Sequence, residues 1–347
     1  MSAAPVLSIT DLVVKAETPT GDVTLVDGVS LDVAAGEVVS IVGESGSGKS
    51  ITMLAVMGLL PAGTWIDSGS IRFHGTELTT LTAREFNSIR GGQLAMVFQD
   101  PMTTLNPVRR VGSQLAEGIR LHDRTASRSS SRRRVVELLD SVGIVEPATK
   151  AKDYPHQWSG GMRQRALIAG AMAHDPAMLI ADEPTTALDV TIQAQVMKVL
   201  AAARTEAGSA MILITHDLGL VAQVADRVAV MYSGRIVEMQ DVYGIFESPR
   251  HPYTAGLLAS VLSLEDDDAA AYAIPGQPPT PATRGEGCAF QPRCAVGRDR
   301  PECAIAPSLA VADGMAIACH VPLIDGRLPV VDSFPRTATI TEGVRAS

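Results

Sequence analysis

Cysteine is missing from the chain before Cys288; all four of its cysteines fall between Cys288 and Cys319. A disulfide scaffold staples short secreted chains that lack a core, so that class is excluded for a chain of 347 residues. Long apolar runs are missing too. The longest uncharged stretch, Ser50 to Ile66, is broken by Gly58, Pro61 and Gly63. It falls short of the roughly 18 unbroken apolar residues of a membrane span, so any membrane role is expected to pass through a partner. Positive charge is in deficit, with 29 Lys and Arg against 38 Asp and Glu and a net charge of −9. A bulk grip on nucleic acid needs clustered cations to displace phosphate counterions, and no nucleic-acid partner is expected. The one basic stretch (Arg120, Arg124, Arg128, Arg132, Arg133, Arg134) reads as a solvated helix face. The N-terminus has no cationic region followed by an apolar run, so no signal peptide is expected. No repeat at solenoid period is visible.

What is present is ample apolar material. The hydrophobic fraction of 46% supports a packed core and excludes a disordered chain. At roughly 100–200 residues per domain, the length suits one large domain plus a smaller one, or two domains. From Val6 to about Gln240, short β-rich runs alternate with helical patterns, as α/β layering requires. Val38–Val42, Met178–Ala181 and Met211–Thr215 are continuous apolar runs of strand length, read as buried parallel strands. Ile51 to Leu60 reads as an apolar helix, and Thr82 to about Ala173 as a helical subdomain inserted into the sheet core. Val228–Tyr232 and Arg235–Met239, joined by Ser233-Gly234, read as a hairpin. Composition changes after Leu264: a charge run, Glu265-Asp-Asp-Asp268, then a proline-rich connector, Ile274 to Pro281, then a loop-rich cysteine segment to about Leu323.

Gly43-Glu-Ser-Gly-Ser-Gly-Lys-Ser50 fits the phosphate-loop pattern G-x-x-x-x-G-K-[ST] between a strand and a helix. Gly43, Gly46 and Gly48 let the backbone fold tightly, so that N–H groups of Glu44, Ser45, Ser47 and their neighbours through Ile51 cradle a phosphate chain. The helix start adds its partial positive charge. Lys49 is expected to reach the β- and γ-phosphates and Ser50 to give a hydroxyl to Mg²⁺. Met178-Leu-Ile-Ala-Asp182-Glu183 ends a strand in paired carboxylates at the sheet edge where α/β ligands bind. Asp182 suits the Mg²⁺ shell, and Glu183 suits the orientation or deprotonation of an attacking water.

Trp158-Ser-Gly-Gly-Met-Arg-Gln-Arg165, a short distance before that strand, resembles the signature motif of the ATP-binding-cassette (ABC) ATPases. Ser159, Gly160 and Gly161 open a helix whose N–H groups suit a second anion site. The resemblance implies that this site takes the γ-phosphate of ATP held by a second ATPase subunit, either a copy of this chain or a related one. It implies further that Gln99, in Val97-Phe-Gln-Asp100, touches Mg²⁺ and relays to a membrane partner. Ala187-Leu-Asp189 resembles the loop that crosses the dimer interface, and His216, in Ile214-Thr-His-Asp217, the switch histidine on the γ-phosphate. The implied fold class is α/β, a P-loop NTPase of ABC type, with an inserted helical subdomain and a small loop-rich C-terminal extension. One departure stands out: no Phe, Tyr or Trp occurs from Met1 to Val42 to stack on adenine, which leaves Val14 or Val23 to cover the base.

Val97 to Pro107, His251-Pro-Tyr253, Ile274-Pro-Gly276, Met162 and the cysteine segment resemble the dipeptide/oligopeptide/nickel importer ATPases. The expected organisation is an ATPase domain over 6–240, an importer-type extension over 241–325 and a tail over 326–347. The resemblance implies ATP hydrolysis coupled to peptide import at the cytoplasmic face of the membrane, with two integral membrane permease subunits and an extracytoplasmic peptide-binding protein. Nickel or metal-chelate cargo and a soluble, non-transport ABC ATPase are the alternatives. Cys288, Cys294, Cys303 and Cys319, spaced C-x₅-C-x₈-C-x₁₅-C, miss the spacings of common zinc modules and bacterial ferredoxins. Some similar importer ATPases carry a [4Fe–4S] cluster in this segment, so the resemblance implies a Cys₄-ligated cluster, with zinc or free thiols as alternatives.

Overall fold

The computed structural model describes residues 4–100, 104–186, 188–265, 272–312 and 314–328. Positions 101–103 of the importer-type motif, Ala187, the acidic run after Glu265 and most of the tail lie outside the described residues.

The expected buried strands form. β3 (Val38–Val42), β7 (Met178–Asp182) and β8 (Ala210–Ile214) are buried at every position. Successive side chains of a strand point to opposite faces, so a run buried throughout needs cover on both. Val39, Ile41, Ile180, Ile212 and Ile214 pack on one face with Met53 and Val56, while Leu179, Ala181 and Leu213 pack on the other with Val135, Leu139, Ile168 and Leu200. β3 runs parallel to β8 on one side and to β9 (Arg227–Tyr232) on the other. The hairpin to β10 (Arg235–Asp241) turns on Ser233 and Gly234, at φ 48° and 81°. Both central residues sit in the left-handed region, as a turn matched to strand twist requires.

Three features depart from the sequence reading. β6 (Leu94–Val97) lies inside the stretch read as helical and runs parallel to β7 as the sheet edge. The remaining insert is helical: Ala83–Ile89, Val111–His122, Arg128–Ser141, Pro147–Lys150 and Gly160–Ala171. Second, β1 (Leu7–Thr18) and β2 (Gly21–Val33) belong to a separate antiparallel sheet with β4 (Thr64–Phe73) and β5 (Thr76–Glu77), in the order β2-β1-β4-β5. This sheet closes the core over Met53, Val56 and Ile41 with Leu12, Leu31 and Ile71. Third, the C-terminal segment, read as loop-rich, contains strands. Its strands β11 (Ala310–Ala312) and β12 (Met315–Ile317) extend the main sheet, with Glu238 of β10 opposite Ile317 of β12.

The helix after β3 spans Lys49–Val56, starting earlier and ending sooner than the expected Ile51–Leu60. Gly58 turns left-handed (φ 61°) and Pro61 follows, so the apolar run outlasts the helix. Within the basic stretch, Arg124, Arg128, Arg132 and Arg133 are exposed as expected. No described helix is long and apolar enough to cross a membrane.

Candidate active site

The loop from Gly43 to Ser50 leaves the carboxyl end of β3 at the centre of the parallel sheet, with β8 and β9 beside it. Gly43 is a glycine for reasons of space: a Cβ there would lie 2.2 Å from the backbone oxygen of Met231. Gly48 caps the following helix at φ 103°, a left-handed conformation that other residues rarely hold. Lys49 folds back over the loop, its Nζ donating to the carbonyls of Gly43 (2.8 Å) and Glu44 (2.9 Å) and to Ser47 Oγ (3.2 Å). Burial lowers the pKa of this ammonium, while the charges of Glu183, Asp182 and Glu44 oppose the shift.

Two carboxylates face the loop from the end of β7. Ser50 Oγ donates to Asp182 Oδ1 at 3.0 Å, which joins two of the three predicted Mg²⁺ ligands in one spot. Burial raises the Asp182 pKa; the Ser50 hydrogen bond counters that, Glu183 adds to it and Lys49 opposes it. Glu183 has left the strand at φ 46°, a strained conformation for a residue with a Cβ, and its N–H is tied to Ile214 O at 2.9 Å. That twist turns its carboxylate toward Gln99 and His216. Gln99 Nε2 donates to Glu183 Oε2 at 2.9 Å, and His216 Nδ1 lies 3.9 Å from the same oxygen. Thr186 Oγ1 also donates to it, at 2.8 Å. Thr186 was not singled out from the sequence; its position three residues after Glu183, in a turn, was the available signal.

Ser159, Gly160, Gly161 and Asp189 form a separate group. Ser159 caps the helix Gly160–Ala171 by accepting from Met162 N–H at 3.3 Å. Asp189 caps the helix Val190–Ala207 by accepting from Ile192 N–H at 3.0 Å. The two helix starts pack closely: a Cβ on Gly161 would lie 2.5 Å from Ile192 Cγ2. Among the described residues, no hydrogen bond of these four reaches the phosphate loop. Of the residues suggested to cover adenine, Val14 is fully buried in the core and unavailable, whereas Val23 is half-buried.

The C-terminal extension touches the loop, which the sequence did not reveal. Tyr253 Oη accepts from Glu44 N–H at 2.8 Å, and Arg293 grips the Glu44 carboxylate with two nitrogens, at 2.7 and 3.0 Å. The His251-Pro-Tyr253 motif has a structural basis. Glu238, wholly buried, accepts from the N–H groups of Arg250 (2.7 Å) and His251 (2.9 Å) and holds the turn that delivers Tyr253.

The cysteine segment differs from expectation. Its thiols gather: a Cβ on Gly297 would lie 3.1 Å from Cys303 Sγ and 3.2 Å from Cys294 Sγ. Burial raises the pKa of Cys294, Cys303 and Cys319, the last to about 12, with the neighbouring thiols adding to each shift. Yet among the described residues no three His, Cys, Asp or Glu side chains are disposed to hold a metal ion. Metal ligation needs converged, deprotonated sulfurs. The expected [4Fe–4S] cluster through Cys288, Cys294, Cys303 and Cys319 therefore finds no support, nor does the zinc alternative.

Fold and site together define an ABC-type ATPase cassette. Residues 26–186 match the family model described as ABC transporter, and residues 237–303 the one described as oligopeptide/dipeptide transporter, C-terminal region. Over 326 residues, 93% of this chain, it is 48% identical to the oligopeptide transport ATP-binding protein OppD of Mycobacterium tuberculosis (strain ATCC 25618 / H37Rv). The match covers 53% of that relative, so the chain spans about half its length. It is 46% identical over 307 residues to the dipeptide transport ATP-binding protein DppD of Escherichia coli (strain K12), covering 88% of this chain and 93% of the relative. Among solved structures, the dimeric post-hydrolysis state of the ATP-binding cassette MJ0796, bound to ADP and Pi, superposes with a TM-score of 0.62 at 26% identity. That match covers 68% of this chain and 98% of MJ0796. The chain belongs to the ABC transporter family of peptide-import ATP-binding proteins.

Proposed function

We propose that this chain is the ATP-hydrolysing subunit of an importer for oligopeptides or dipeptides, peripheral on the cytoplasmic face of the cell membrane. The observation that carries the reading is the meeting of Gln99, Glu183 and His216 beside the Ser50–Asp182 pair and Lys49. In this reading the backbone from Gly43 to Ile51 and the Lys49 ammonium hold the triphosphate. Ser50 and Asp182 are hard oxygen donors that fit Mg²⁺ and, with Gln99, would hold it. The ion, when bound, neutralises charge on the phosphate oxygens.

Glu183 orients a water against the terminal phosphorus, and Thr186 and Gln99 fix its carboxylate. The new P–O bond forms as the bond to the bridging oxygen breaks. ADP leaves with that electron pair, the water's proton passes to Glu183, and His216 contacts the transferred phosphate.

Ser159, Gly160, Gly161 and Asp189 act on ATP held by a second cassette, this chain again or a related ATPase. Their separation from the loop of their own chain supports that role, as does the dimeric form of MJ0796. Between the sheet edge and the helical insert, a groove of about 310 Å³ lined by Met57, Met96, Phe98, Leu115 and Leu167 supports docking of one permease subunit next to Gln99, so that two cassettes engage two such subunits. An extracytoplasmic peptide-binding protein selects the cargo.

Glu183→Gln is the test. Hydrolysis should fall about 10²–10⁴-fold, the range for removing a positioned base, while ATP still binds. An unchanged turnover rate would remove Glu183 from the reaction.

A further inference from the structure

Residue 44 of the phosphate loop carries a carboxylate that no step above uses. A free negative charge beside a bound triphosphate repels it, so what becomes of the Glu44 charge bears on nucleotide affinity. In this fold it is engaged by the C-terminal extension. The Arg293 guanidinium meets both Glu44 oxygens, at 2.7 and 3.0 Å, in the two-pronged geometry that arginine offers a carboxylate.

Arg293 is itself held in place. It is only 6% exposed and donates to Pro275 O at 2.9 Å and to Tyr232 Oη at 3.2 Å. The rings of Tyr232, Tyr253 and Phe290 pack on one another, with centroids 4.6 to 5.3 Å apart, and the guanidinium lies over the Tyr232 ring, 5.8 Å from its centroid. Tyr253, from this aromatic cluster, takes the Glu44 N–H. The Glu44 carbonyl in turn accepts from Lys49 Nζ at 2.9 Å. A short chain of bonds therefore runs from Arg293 through Glu44 to the lysine assigned to the phosphates.

We propose that Arg293 is a positioning residue for ATP: it neutralises Glu44 and pins the first half of the phosphate loop in its binding conformation. This rests on the reading of Gly43–Ser50 as the ATP site. The C-terminal extension is thereby part of the nucleotide-binding apparatus. Arg293 spends its hydrogen bonds on Glu44, Pro275 and Tyr232 and has none with Glu183, Gln99 or His216, so its loss weakens ground-state and transition-state binding alike and leaves the chemical step intact.

The test is Mg·ATP affinity of the full chain by calorimetry, with the KM and kcat for ATP of the assembled transporter beside it. Arg293→Met should weaken ATP binding about tenfold or more, because it leaves a half-buried carboxylate unpaired next to the phosphates. KM should rise in step while kcat stays within about twofold. Arg293→Lys should fall between the two, since it keeps the charge and loses the fork.

The double variant Arg293→Met/Glu44→Gln separates this role from a merely structural one. Removing the orphaned charge should recover most of the affinity, whereas a defect from a loosened extension would persist. An Arg293→Met chain with wild-type affinity, or a double variant no better than the single, overturns the proposal. A wild-type chain that binds no ATP, or a Lys49→Ala chain that binds it normally, would instead overturn the reading of the site itself.

Discussion

On the side of the phosphate loop that faces the C-terminal extension, Arg293 and Tyr253 bond directly to Glu44. On the side of Ser159 and Asp189, no hydrogen bond of those caps among the described residues reaches the loop; each side-chain cap bonds within its own helix. One flank is completed within the chain and the other is left open. On the proposed reading, a bonded flank contributes to holding nucleotide in a single chain. An open one, made of helix N-termini whose remaining N–H groups still seek an acceptor, contributes only when an anion is presented by another molecule.

The comparison breaks most severely if the loop itself is disabled. Lys49→Ala should abolish measurable ATP binding and slow hydrolysis by about 10³-fold, the scale of losing one preorganised charge donor; calorimetry and phosphate release check both. Ser159→Arg tests the open flank. It should slow hydrolysis by about 10²-fold in the assembled transporter while the isolated chain binds ATP with unchanged affinity. A parallel loss of affinity in the isolated chain would show that this flank acts on its own loop.

The bonded flank has its own pH signature. His251 is wholly buried, and burial alone drops its pKa to about 3, so the folded chain holds it neutral. The unfolded chain takes up a proton near the ordinary value of about 6.5. Between those values the unfolded state binds more protons, so the contribution is fully present above about pH 6.5 and is lost as pH falls toward 3. The slope is at most about 1.4 kcal/mol per pH unit. His251 Nδ1 accepts from the Tyr253 N–H at 3.0 Å; His251→Asn, which keeps an acceptor there, should flatten that slope in denaturant titrations from pH 7 to 4.5. A purely steric effect is expected at Gly161. There Gly161→Ala pushes a methyl against Ile192 and should destabilise the chain by about 1–3 kcal/mol, read from thermal unfolding.

Much of the site was legible in the sequence because its motifs are local. Gly43 to Ser50 sits between a wholly apolar strand and a helix, and Asp182-Glu183 ends another such strand. β6 was hidden because four apolar residues between helical segments fit either period. The antiparallel sheet was hidden because its long strands carry bulges, with register shifts between Ile9 and Lys15, that blur the alternation. The metal ligands at the four cysteines came only from the resemblance, not from their spacing, and the segment is held by aromatic packing and strand pairing with β10.

The sequence by itself determined the cassette: where the phosphate loop lies, which carboxylates stand opposite, and the order of the motifs along the chain. These follow from short-range rules of backbone freedom and strand burial. Only the tertiary structure decided that Gln99 and His216 turn toward the same Glu183 oxygen, and that Arg293 closes on Glu44 across 249 positions. A side chain's partner at that separation depends on how the sheets stack and where the chain returns, which no local pattern encodes.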